Sequence, residues 1–199
     1  MNIIERVKNI LLTPKGEWEV IKGEEQTIVG LFTKYALILA AIPAVAGFLG
    51  FAIIGVSTGF GSYALPFSLS IKWAIFTYIL SLVGVAVIAY VIDFLAPYFG
   101  AAKDLVASFK VAIFAYTAAW VGGIFNIIPA LSIVVLIASI YSLVLLYMGL
   151  ERVKSVPKEK MAVYFIAVLV GAIIVSIITG AIVSSVAFGG MYNMMEGGY

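Results

Sequence analysis

The chain has 199 residues, 64% of them hydrophobic and 11% charged, with a formal net charge of +2. A soluble domain carries about 25% charged residues, so these charges are too few to coat a water-facing surface, and the small net charge gives no nucleic-acid footprint. Cysteine and histidine are both absent, which excludes disulfides and thiolate chemistry and removes the commonest general base, metal ligand and pH switch.

The first 34 residues are the most polar part. "NIIERVKNILL" places Ile3, Ile4, Val7, Ile10 and Leu11 on one helical face, opposite Glu5, Arg6, Lys8 and Asn9. Thr13-Pro14 reads as an N-cap followed by proline at the first helical position. A second short helix then carries Trp18 and Ile21 on one side and carboxylates on the other. These glutamates, and the lack of a short apolar core with a cleavage site, argue against a signal peptide. Tryptophan favours the headgroup layer, so both helices are expected on the inner membrane face or against a bundle, with residues 1–34 forming a cytosolic amphipathic segment.

Five apolar runs follow, each near the roughly 20 residues a crossing needs. They run from about Tyr35 to Gly55, Trp73 to Leu95, Phe109 to Ile127, Leu131 to Leu150 and Met161 to Phe188. None alternates as barrel strands do, so helices are the only way to satisfy the backbone in lipid. The expected fold is all-α, a five-helix transmembrane bundle over 35–188 with an outer tail over 189–199. "FNIIPAL" between the third and fourth runs predicts a tight hairpin broken by Pro129. Eleven of the 12 basic residues fall in segments on the N-terminal side of the bundle, and only Lys72 falls on the other. The positive-inside rule then puts the N-terminus inside the cell membrane and the C-terminus outside.

From Tyr116 onward the chain reads "AYTAAWVGGIFNIIPALSIVVLIASIYSLVLLYMGLERVKSVPKEKMAVYFIAVLVGAIIVSIITGAI". An aromatic-rich third span, "NIIPAL", "IYSLVLLYMGL", the loop "VPKEKM" and a small-residue-rich fifth span follow in order, after the opening "LLTPKGEWEVI". This succession resembles the prokaryotic branch of the Ypt-interacting protein (Yip) family. The resemblance implies five transmembrane helices and a cytosolic N-terminus. Eukaryotic members of the family bind Rab-type GTPases, whereas the prokaryotic role is undefined. Here Ala119 precedes Trp120 where the family often has proline, and the long eukaryotic N-terminal extension is missing.

The candidate functional residues fall into four groups. Trp18, Arg152, Lys154, Lys158 and Lys160 are expected to contact lipid headgroups or a cytosolic or membrane protein partner. Asp93 with Lys103 or Lys110 forms a candidate ion pair at the inner mouth. Tyr116, Thr117, Tyr141 and Ser142 are the candidates for lining a polar cavity, against the simpler reading of backbone bonding. Ala172, Ser176, Gly180 and Ser184 recur every four residues, as do Ala36, Ala40 and Ala44, and Ala115, Ala119 and Gly123. Such stripes let helices approach closely, within the bundle or in a homo-oligomer. Met191, Met194 and Met195 offer thioethers, read as an interfacial or disordered end rather than a copper site. "GFGS" at 59–62 has no histidine to activate Ser62. No enzymatic motif, cofactor, metal or nucleic-acid partner is expected. The functional expectation is a non-enzymatic membrane protein acting by interaction, with a transporter or channel for small or lipid-like molecules as the alternative.

Overall fold

A computed structural model describes the backbone of residues 2–58 and 61–196, with side chains described outside 56–63, 129 and 187–196. The expected all-α bundle is what forms. Helix α1 spans Ile3–Leu12 and α2 spans Pro14–Gly23. The first crossing, Ile28–Ile54, joins α3 (Ile28–Leu31) to α4 (Leu37–Leu49) through a π-helical turn at Phe32–Ala36, and a second such turn follows at Gly50–Ile54. A two-stranded antiparallel hairpin (β1, Val56–Thr58; β2, Gly61–Tyr63) leads into α5, Phe67–Leu95. Helices α6 (Leu105–Ala115) and α7 (Thr117–Gly122) make the third crossing, α8 (Ser132–Arg152) the fourth and α9 (Lys158–Glu196) the fifth. Among the described residues, five helices are therefore long and apolar enough to cross a membrane.

Local chemistry sets the ends. Asn2 Oδ1 accepts from the Ile4 amide at 3.1 Å, Thr27 Oγ1 from the Gly30 amide at 3.0 Å, and Asp104 Oδ1 from the Ala107 amide at 2.9 Å. Each satisfies an amide donor that the first turn leaves free. Pro14 occupies the first turn of α2 as expected, but the Thr13 hydroxyl turns back to the Asn9 carbonyl at 3.1 Å and closes α1 instead of capping α2. The hairpin between the third and fourth crossings is tight, built from 3-10 turns at Gly123–Ile127 and Pro129–Leu131. It packs on span one through glycine. A Cβ on Gly50 would sit 2.2 Å from the Asn126 carbonyl oxygen, and one on Gly123 would sit 2.5 Å from Pro43 Cβ.

The third crossing is the most buried of the five and packs against α4, α5 and α8, while α9 lies mainly along α5. Many exposed positions on α8 and α9 are large and apolar, among them Ile133, Ile137, Ile166 and Ile177. A helix that is apolar on its outward face as well is solvated by lipid. The well-packed core lies toward one end of the bundle, called here the near end. There α1 and α2 sit, α5 and α8 finish, and α6 and α9 start. Ile10, Trp18, Ile21, Tyr35, Phe114 and Tyr164 are all fully buried in it.

Candidate functional site

The N-terminal helices do not lie flat on a surface. They form a helical hairpin that enters the bundle. Tyr141 Oη donates to the Leu11 carbonyl at 2.8 Å, and Tyr141 lies about half-way along α8. Trp18 is wholly buried, not seated among headgroups, because its ring fits over Gly149 near the end of α8. A Cβ on Gly149 would stand 2.8 Å from that ring. The ring also meets Phe114 edge-on at 6.5 Å, and Tyr35 meets Phe114 at 4.8 Å. Replacing Tyr141 by phenylalanine is expected to lower stability by about 1 kcal/mol, read as a reduced unfolding temperature in detergent with helix content unchanged.

Arg6 is buried as well, although the amphipathic pattern assigns it to the polar face. Its guanidinium donates to Glu17 and Glu24 and lies 5.5 Å above the Phe114 ring. The spacing of Ile3, Arg6 and Ile10, three then four residues, places Arg6 on the inward stripe. Lys110 Nζ donates to the Ile21 carbonyl at 3.0 Å and to the Glu24 carbonyl, so a cation closes the C-terminal end of α2, where free carbonyls concentrate negative charge.

Lys110 is thus committed elsewhere, and the expected pairing of Asp93 with Lys103 or Lys110 does not form. The partner of Asp93 is Lys154, at 3.6 Å. Lys154 Nζ also donates to the carbonyls of Ala102 at 2.8 Å and Asp104 at 3.1 Å, and Ser108 donates to Asp93 at 3.3 Å. The positive φ of 52° at Ser155 marks the turn beside it. Burial pushes the Lys154 ammonium below its ordinary pKa, partly offset by Asp93 and Asp104. Lys154 is therefore an internal staple rather than a surface contact. Of the other expected contact residues, Arg152 pairs with Glu19 at 2.7 Å, whereas Lys158 and Lys160 are exposed. Lys103 is exposed too, and Lys160 lies beside the turn at Gly100 that leads to it.

The four cavity candidates separate. Thr117 is buried and shares a 2.8 Å hydrogen bond with Tyr35, and Tyr141 serves the hairpin. Tyr116 and Ser142 line one groove of about 610 Å³ between α8 and α9, with Ala115, Ala119 and Ala172 among its other walls. A second groove of about 400 Å³, between α5 and α9, shares Tyr116 and Ser176 with the first. A third, polar depression of about 660 Å³ lies at the near end beside Glu25 and Lys34.

The small-residue stripes of spans one and three are used inside the bundle: Ala36, Ala40, Ala44, Ala115 and Gly123 are all buried. In span five Ala172 is buried, but Ser176, Gly180 and Ser184 are exposed, and nothing approaches Gly180. Gly59 and Phe60 of the "GFGS" stretch, the Ser62 side chain and those of Met191, Met194 and Met195 lie outside what is described. Among the described residues no cluster of acidic side chains could hold a metal ion.

The model of the Yip1 domain family matches residues 8–193, from within α1 to near the end of α9. The chain is a member of the Yip1 domain family. It is 28% identical over 151 residues to the inner membrane protein YohC of Escherichia coli K12, covering 74% of this chain and 77% of that protein. YohC from E. coli O6:H1 strain CFT073 matches to the same extent. No solved structure matches significantly. The fold shows how this Yip1-domain sequence ties its N-terminal hairpin to the fourth crossing: the opening "TPKGEW" supplies Trp18, and "LLYMGL" supplies the glycine that accommodates it.

Proposed function

We propose that this Yip1-domain protein is a non-enzymatic integral membrane protein that works by interaction at its near end, which faces the cytosol. The observation that supports this most directly is the sorting of its basic residues. Arg6, Lys22, Lys110, Arg152 and Lys154 are occupied by internal contacts. Lys8, Lys15, Lys34, Lys103, Lys158 and Lys160 are exposed and take part in no ion pair among the described residues. Lys103 and Lys160 flank the α5–α6 turn, with Lys158 at the start of α9. Lysines near an anionic leaflet each contribute about 1 kcal/mol of attraction. The buried aromatic and ionic core behind them gives the surface a rigid support.

The test is photocrosslinking in cells from a reactive residue at position 160, with position 18 as the buried control. Adducts to anionic lipid or to a protein are expected from 160, and none from 18. Adducts confined to residues at the far end of the bundle would refute the reading.

A further inference from the structure

The groove between α8 and α9 has properties that the near-end reading does not use. It lies at mid-membrane: Ser142 is half-way along α8, and Tyr116 half-way along the third crossing. Its volume of about 610 Å³ falls within the range of small-molecule sites, roughly 300–1,000 Å³. The floor is small, formed by Ala115, Ala119 and Ala172, while Ile173 on the rim is exposed to lipid, so the mouth opens sideways into hydrocarbon. Toward the near end α8 and α9 are joined by Tyr147 stacked edge-on against Phe165 at 5.3 Å. Entry is therefore from the bilayer.

Four hydroxyls line the groove, of which Ser139 and Ser176 donate to the Val135 and Ala172 carbonyls of their own helices. Ser142 is 7% exposed, and its oxygen accepts the Ala119 amide at 2.9 Å. Among the described residues no acceptor takes the Ser142 proton. Burial of an unmatched donor is costly, and a groove wall is where a ligand oxygen would relieve it. Tyr116 stands beside Ser176, whose own proton goes to the Ala172 carbonyl at 2.8 Å. Ser142 thus supplies an unmatched donor and Tyr116 a hydroxyl shared with Ser176, and no charged side chain lines the groove.

Depth and donor character select the ligand. At mid-membrane a charged or zwitterionic headgroup is strongly disfavoured. The carbonyls of a glycerolipid sit at the edge of a hydrocarbon core about 30 Å thick, roughly 15 Å away. The ligand must be neutral, soluble in hydrocarbon, and able to bring an acceptor oxygen to the bilayer centre. We propose that this groove binds a neutral lipid with a carbonyl-bearing ring, of the isoprenoid quinone class, its ring oxygens accepting from Ser142 and Tyr116 and its tail leaving through the lipid-facing mouth.

The test uses the full chain in nanodiscs and a benzoquinone carrying a decyl tail and a diazirine. Labelling is expected at 139–146 and 169–177, abolished by excess unlabelled decyl-benzoquinone and unaffected by diacylglycerol. Ser142→Ala and Tyr116→Phe are each expected to weaken competition about five-fold, the equivalent of one hydrogen bond. Ile173→Trp, a change at an exposed position, should reduce labelling with no loss of stability. If Ser142→Ala unfolds through its lost amide contact, Tyr116→Phe supplies the same reading. Labelling spread evenly over lipid-facing positions such as Ile75 and Ile79, or equal competition by diacylglycerol or a polyprenol, would overturn the proposal.

Discussion

Replacing Lys154 by methionine is expected to destabilise the protein by about 3–5 kcal/mol, because it leaves the buried Asp93 carboxylate without its cation. The Lys154 side chain is only 1% exposed and Asp93 8%, so little water is at hand to replace the lost partner. The carbonyls of Ala102 and Asp104 lose a donor at the same time. Combining Lys154→Met with Asp93→Leu should recover much of the loss, since the desolvation cost of both ions disappears with them. Chemical unfolding of the three variants in detergent measures this; a double variant no more stable than Lys154→Met would refute the pairing. The same site predicts a pH dependence. Folding lowers the Lys154 pKa from its ordinary 10.5. Between the lowered and the ordinary value the unfolded chain holds more protons than the folded one, so this group's contribution to stability rises with pH across that interval. Below the interval it is constant. Wild-type protein should therefore gain stability relative to the double variant as pH approaches 10.5.

Trp18→Ala is expected to cost a further large amount, about 3–5 kcal/mol, by leaving a ring-sized void in the near-end core. The residue is fully buried, with its ring over Gly149 and edge-on to Phe114. The converse change, Gly149→Ala, places a methyl group 2.8 Å from the ring and 3.1 Å from Val111 Cγ1. Overpacking of this kind costs about 1–3 kcal/mol. Because the two positions share one contact, their effects should not add. Trp18→Phe combined with Gly149→Ala should be more stable than the sum of the single changes indicates, and a double-mutant cycle reads the coupling. Simple additivity would mean that the hairpin is not locked by this contact.

The two results separate the roles of residues that look alike in the sequence. Trp18 and Lys154 join expected contact residues such as Lys158 and Lys160 only by type and position along the chain. Folding removes the first two from the surface, because Gly149 leaves room for an indole and because Asp93 meets the α8–α9 loop. Arg152 is diverted to Glu19. The candidate interaction surface is therefore smaller than the sequence indicates and is shifted toward Lys103, Lys158 and Lys160. The half of the candidate cavity that survives, Tyr116 and Ser142, is the half on walls that face the α8–α9 gap.

What the amino-acid order alone determined was the solvent. Long apolar runs with few charges have no stable state in water, so the five crossings, their helical character and the gathering of basic residues at one end follow from transfer energies and backbone hydrogen bonding. These depend on each residue and its near neighbours, and so can be read without knowing how the helices meet. Which side chains meet was decided by tertiary structure. Asp93 pairs not with the lysines nearest it in sequence but with Lys154, whose ammonium also reaches two carbonyls of the α5–α6 loop. Arg6, polar by type, was drawn inside because Glu17 and Glu24 arrive there on α2. Pairing energies of this kind depend on distance and local dielectric, and neither quantity is written in spacing along a chain.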